Sequence, residues 1–144
     1  MAEIQQDKVH GTARSKTRPG LSKQTILDAA MKIVREEGVE HLSMRRIASQ
    51  LGCSVAGPYF YFENQDEIIR ALISEGEAWL TADLRKAQAS SQDVYDQLRA
   101  IAQTYWTFAS NHRELHKLIF NVGGHRKVFA VISSSYRVYM ETLR

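Results

Sequence analysis

The side chains of clearest chemical use in this 144-residue chain are cations and hydroxyls set among short apolar segments. Lys8, Arg14, Lys16, Arg18 and Lys23 follow one another with no acid between them, and residues 1–27 hold five basic side chains against two acidic ones. Such a run beside a folded unit can track a phosphate backbone by displacing its counterions, whereas in a plain solubilising tail it binds nothing in particular. Further on, Ser43, Arg45 and Arg46 stand close together, followed by Ser54 and by Tyr59 and Tyr61. Guanidinium groups and hydroxyls are donors that reach phosphate oxygens or base edges. The competing reading is an ordinary helical core in which the aromatic rings only pack.

Other chemistries find less support. His112 and His116 are i, i+4 neighbours, a spacing that can hold zinc. Glu114 does not follow the first of them as an H-E-x-x-H site requires, and no third ligand is evident, so no metal is expected. Cys53, the one cysteine, cannot form an internal disulfide and is expected as a small buried filler. No Ser-His-Asp order, glycine-rich phosphate loop or paired-carboxylate motif stands out. Neither an enzyme nor a cofactor is expected.

The elements that must position these side chains are helices. The chain is 44% hydrophobic and 24% charged, with 8 Gly and 2 Pro, a composition that excludes a disordered or collagen-like chain and favours long helices. No stretch approaches the roughly 18 apolar residues of a membrane span, and the first residues lack a secretory leader, so a cytoplasmic chain without a membrane partner is expected. Residues 1–20 show no periodicity and end in Arg18-Pro19-Gly20, which reads as a flexible basic arm. From Ser22, a candidate cap, Ile26, Ala29, Ala30, Ile33 and Val34 form a helical stripe that Gly38 ends in a left-handed conformation. Ser43 caps a second helix with Ile47, Ala48 and Leu51 inside, stopped by Gly52; Ser54 is placed to cap a third, through about Phe62.

Two short helices joined by a glycine-containing turn form a helix-turn-helix unit, whose second helix enters the major groove. A fourth helix runs from about Asn64 to Gln88, and its acids read as a solvated face. Ser90-Ser91-Gln92 reads as a joint. Amphipathic helices are expected over 94–109, about 112–121 and 128–143, with Gly123-Gly124 as a break. The fold class is therefore all-α.

Residues 21–72 resemble the DNA-binding domain of the TetR family of bacterial transcriptional regulators. The resemblance is carried by Ile26-Leu27-Asp28-Ala29-Ala30, Glu37-Gly38, Leu42-Ser43-Met44-Arg45-Arg46-Ile47-Ala48, Leu51-Gly52-Cys53-Ser54, Tyr59-Phe60-Tyr61-Phe62 and Asp66-Glu67-Ile68-Ile69. It implies that Ser43, Tyr59 and Tyr61 hold phosphate and that Ser54, Val55, Ala56 and Gly57 face the groove, with Phe60 beside them. Two departures stand out. Gln65 replaces the usual Lys opening the fourth helix, leaving an amide and a helix N-terminus as the anion contact. Pro58, expected as the fourth helical residue, would forfeit a hydrogen bond and disfavour helical geometry at Gly57. Ser54 to Pro58 also lacks Arg, Lys, Asn and Gln, so specificity is left to thymine methyls, the arm, Arg45 and Arg46, or DNA shape.

Residues 73–144 resemble, more loosely, the ligand-binding and dimerisation bundle of the same family, and set beside that family this bundle is expected to be incomplete at its C-terminus. The stretch from Asp96 through Tyr105, Phe108, His112-Arg113-Glu114-Leu115-His116 and Leu118-Ile119-Phe120 carries this likeness. Trp79, Tyr105, Trp106, Phe108, His112 and Phe120 are candidates for lining a pocket for a small apolar or aromatic effector, although their spacing also suits a plain core. The resemblance implies a ligand-responsive repressor that binds a near-palindromic operator in double-stranded DNA as a homodimer. The departures at Gln65 and Gly57-Pro58 motivate an alternative, a helical ligand- or protein-binding co-regulator that no longer reads DNA.

Overall fold

The computed structural model describes residues 20–122 together with Ala130, Arg137, Met140 and Glu141. Residues 1–19, with Arg14, Lys16 and Arg18, and most of the helix expected over 128–143 lie outside the described residues. Among the described residues the chain is all-helical, with α1 (Lys23–Glu37), a 3-10 turn (Val39–His41), α2 (Met44–Leu51), α3 (Ala56–Tyr61), α4 (Gln65–Gln88), α5 (Val94–Asn111) and α6 (Arg113–Val122).

Local chemistry sets most of the boundaries. Ser22 Oγ accepts the Thr25 N–H at 3.1 Å while Thr25 Oγ1 accepts the Ser22 N–H at 2.9 Å, a capping box with Thr in the position usually held by Glu or Gln. Ser43 caps α2 by accepting the Arg46 N–H at 3.0 Å, and Gly52 ends it in the left-handed conformation. Asn64 caps α4 by accepting the Glu67 N–H at 3.0 Å, and the Glu67 carboxylate accepts the Glu63 N–H at 2.8 Å. Gly38 differs from expectation. At φ 95° and ψ 162° it has positive φ with an extended ψ, a region essentially confined to glycine, because it must turn the chain directly into the 3-10 turn.

The third helix also starts later than expected. Ser54 is no side-chain cap; Val55 takes the N-cap position, and α3 opens at Ala56. Pro58 is then the third helical residue, within the first turn, where backbone N–H groups have no intrahelical acceptor, so its ring removes no hydrogen bond. Gly57 has no Cβ to meet the proline ring and keeps the helical path.

Two apolar clusters result. The first joins Ile26, Ala30, Ile33 and Val34 of α1 to Leu42, Ile47 and Phe62, to Ile68 and Leu72 of α4, and to Leu118 of α6. The second joins Leu80 and Leu84 of α4 to Ile101 and Phe108 of α5 and Leu115 and Ile119 of α6. The boundary expected at residue 72 thus falls inside α4, which continues unbroken through both clusters. The two helices meet closely at Gly76, where a Cβ would lie 2.9 Å from the end carbons of both Leu115 and Ile119. The acidic side of α4 is not wholly solvated: Glu77 is 7% exposed, because it falls on the stripe that buries Ile73, Gly76 and Leu80.

Replacing Gly38 by Ala imposes positive φ on an L-residue and sets its Cβ 2.6 Å from the Glu40 carboxylate. Urea unfolding of Gly38→Ala is expected to show a loss of about 1–3 kcal/mol. The control Gly20→Ala, whose Cβ would meet nothing within 4 Å, should leave the midpoint in place. Equal midpoints for both variants would contradict this account of the turn.

Candidate nucleic-acid interface

The turn between α2 and α3 is held from inside. The Cys53 N–H donates to the Ala48 carbonyl at 3.0 Å and the Gly57 N–H to the Ser54 carbonyl at 3.0 Å, so the two helices share a rigid corner. Cys53 is only half-buried, because it lies in the turn itself. The helical period then divides α3 into two faces. Gly57, Pro58 and Tyr61 turn inward, while Val55, Ala56, Tyr59 and Phe60 are exposed. Phe60 is 82% exposed and Tyr59 53%, high values for aromatic side chains in a packed domain.

Gly57, expected to face the groove, is partly buried. Its side-chain direction points inward, where a Cβ would stand 2.8 Å from a methyl carbon of Leu21 and 3.1 Å from Cys53 Sγ. Tyr61, expected to hold phosphate, donates its hydroxyl proton to the Leu21 carbonyl at 2.8 Å and packs against the first cluster. Both contacts fasten α3 to the residue that enters α1. Tyr59 has no such partner among the described residues, which leaves its hydroxyl as the outward donor of the pair.

The arginines divide in the same way. Arg46 donates to the Glu37 carboxylate, tying α2 to the end of α1. Exposed pairs of this kind contribute about 0–1 kcal/mol. Arg45 is exposed and has no ion-pair partner among the described residues. Gln65 is the first residue of α4, but Asp66 and Glu67 follow it in the same turn and already complement the positive helix end. Ser43 and Ser54 flank the surface, with the Ser43 hydroxyl oxygen engaged as the α2 cap.

The candidate pocket residues do not gather at one place. A cleft of about 630 Å³ between α4 and α5 is lined by Trp79, Phe108 and His112, with Asp83, Thr104 and Thr107 among its polar groups. Trp79 and His112 rings lie 4.5 Å apart, Phe108 and His112 5.2 Å, and the Arg35 guanidinium sits 5.9 Å over the Trp79 ring. Tyr105 and Phe120 belong to a separate group, in which the Tyr105 hydroxyl bonds His116 Nε2 at 2.8 Å and the His116 ring stacks on Phe120. Trp106 is 74% exposed and lines neither. The two histidines therefore serve different surroundings, and no group of three metal-ligating side chains occurs among the described residues. Burial, and secondarily the Arg35 charge, push the His112 imidazole below the usual histidine range; burial alone lowers His116 and raises the Tyr105 phenol. His112 Nδ1 is buried without a hydrogen-bond partner.

No helix among the described residues is long and apolar enough to cross a membrane. Residues 26–72 match the family model of bacterial regulatory proteins, tetR family. The nicotine-responsive transcriptional repressor HdnoR of Paenarthrobacter nicotinovorans is 31% identical over 84 residues, covering 58% of this chain and 43% of the relative. Among solved structures, a Rhodococcus sp. RHA1 protein of unknown function superposes with a TM-score of 0.66 at 27% identity, covering 88% of this chain and 67% of that one. A TetR-family transcriptional regulator from Haemophilus influenzae shares the fold with a TM-score of 0.51 at 23% identity, covering 64% of this chain and 51% of that one. The chain spans about half the length of the curated relatives it matches.

Two outcomes follow for stability. Tyr61→Phe removes the bond to Leu21 and is expected to cost about 1 kcal/mol in urea unfolding, whereas Tyr59→Phe should cost nothing measurable; the reverse order would contradict the division of the two faces. Because the native state depresses the His112 pKa, the unfolded chain takes up its proton first, near the ordinary histidine value. Stability should therefore fall as pH drops from about 7 to about 5, and His112→Phe should flatten that slope. An identical slope in the variant would contradict the burial of this imidazole.

Proposed function

We propose, for a chain whose residues 26–72 belong to the TetR family of bacterial regulatory proteins, that it is a DNA-binding transcriptional repressor working as a homodimer on a near-palindromic operator. The observation that carries this reading is the outer face of α2 and α3, where Arg45, Val55, Ala56, Tyr59 and Phe60 are exposed together on a rigid corner. A helix-turn-helix of this form lays its second helix in the major groove, and a two-fold dimer repeats the contact on a second half-site. Arg45 supplies charge and Tyr59 a hydroxyl toward phosphates. Ser43, Ser54 and Gln65 flank them as weaker polar contacts, and Arg46 acts through its hold on Glu37.

The cleft beside Trp79, Phe108 and His112 is the proposed site for a small aromatic or apolar effector. An occupant there bears on α4 and α5, and α4 runs directly into the reading head. Binding that favours one spacing of the two heads over another would shift the operator-bound population.

The test is a duplex selected from a random pool by the purified full chain, followed by titration across salt concentrations. Wild type should prefer the selected duplex to random DNA. Arg45→Ala should weaken binding and reduce the salt slope by about one phosphate contact. Tyr59→Phe should weaken it about fivefold, the loss of one hydrogen bond. Equal affinity for selected and random duplexes would overturn the reading.

A further inference from the structure

The outer face of the reading helix carries methyl groups and rings, with the Tyr59 hydroxyl as its one hydrogen-bonding side chain. We propose that this head selects its site through the 5-methyl groups of thymine in the major groove, with Val55, Ala56 and Phe60 as the specificity-determining contacts; the proposal rests on the DNA-binding reading above.

Three observations support it. First, from Ser54 to Phe62 the chain contains no Arg, Lys, Asn, Gln, Asp or Glu, the side chains that read base edges through paired hydrogen bonds. Second, the remaining polar groups are largely committed elsewhere. The Tyr61 proton goes to Leu21, the Arg46 guanidinium to Glu37, and the Ser43 oxygen to the α2 backbone. Third, apart from the Ser54 and Tyr59 hydroxyls, the groups left facing outward are apolar and close together. Val55, Ala56, Tyr59 and Phe60 occupy one side of a helical surface. At a rise of about 1.5 Å per residue, this surface spans about 7–8 Å, the height of two to three stacked base pairs.

Thymine is the base that offers an apolar group in the major groove. A surface of Val and Ala methyls with an exposed Phe ring complements it, and meets the amino and carbonyl edges of a G·C pair without satisfying them. An A·T pair carries amino and carbonyl edges there as well, so the cost of dry polar edges is shared and the 5-methyl group is what distinguishes the pairs. Arg45 and Tyr59 at the margin supply phosphate contacts that hold the helix in the groove without naming a base.

Deoxyuridine tests this directly, since it differs from thymidine only by the missing methyl. In the selected duplex, each thymidine facing the head is replaced in turn by deoxyuridine, and the affinity of the full chain is measured. Loss of about fourfold per contacted methyl is expected, confined to two or three adjacent positions in each half-site. The variant Val55→Ser/Phe60→Ser should bind the two duplexes equally. Its substitutions lie on the exposed face, and far-ultraviolet circular dichroism and the urea midpoint check that it folds as the wild type does. If the chain prefers the selected duplex but binds its deoxyuridine form equally well, the methyl readout is overturned while the DNA-binding reading stands. If no duplex is preferred at all, both fall together.

Discussion

The structure depends on one helix belonging to two cores. Ile68 and Leu72 of α4 close the cluster beneath the reading head, and Leu80 and Leu84, about two to four turns later, close the cluster of the bundle. α6 repeats the arrangement from the other side, with Leu118 in the first cluster and Leu115 and Ile119 in the second. The two helices can share both clusters only because they approach closely at Gly76, where there is no Cβ to hold them apart. The head and the bundle are consequently not beads on a linker. Any displacement of α4 or α6 in the bundle is felt by buried side chains under α1, since close-packed interiors transmit small shifts.

That rigidity gives the reading helix its meaning. α3 has six residues, too few to be stable by itself, and it is held by Gly57 against Leu21 and Cys53 and by the Tyr61 hydroxyl on the Leu21 carbonyl. Each inward contact removes one side chain from the set that could meet a ligand. What remains outside is a small, mostly apolar surface beside Arg45. The same residue types that a sequence suggests as phosphate donors are thus divided by the fold into inward fasteners and outward-facing groups.

Much of this was legible in the sequence. The apolar stripe Ile26, Ala29, Ala30, Ile33 and Val34, the caps at Ser22 and Ser43, the start of α4 near Asn64 and the stop at Gly52 all appear in the structure, because they depend on local hydrogen bonds and on period. Three features were not. The start of α3 is set by tertiary packing of Gly57 and Pro58, which makes an apparently misplaced proline harmless. The burial of Glu77 follows from which side of α4 packs on the neighbouring helices, a matter of long-range contact. The aromatic residues of the second half share a helical period, yet they separate into a cleft around Trp79, Phe108 and His112, a cluster around Tyr105 and Phe120, and an exposed Trp106. Spacing along a helix names a face; it does not say which partner that face meets.

The central claim is that the outer face of α2 and α3 meets the duplex while the inner face holds the head together. Methyl and amide chemical-shift mapping of the full chain, titrated with its selected duplex, tests it most directly. The account predicts the largest shifts at the Val55 and Ala56 methyls and at the Arg45, Tyr59 and Phe60 amides, with only small shifts at the buried methyls of Ile26, Ile33 and Ile47. Shifts concentrated in α5, or spread evenly through the core of the head, would contradict it.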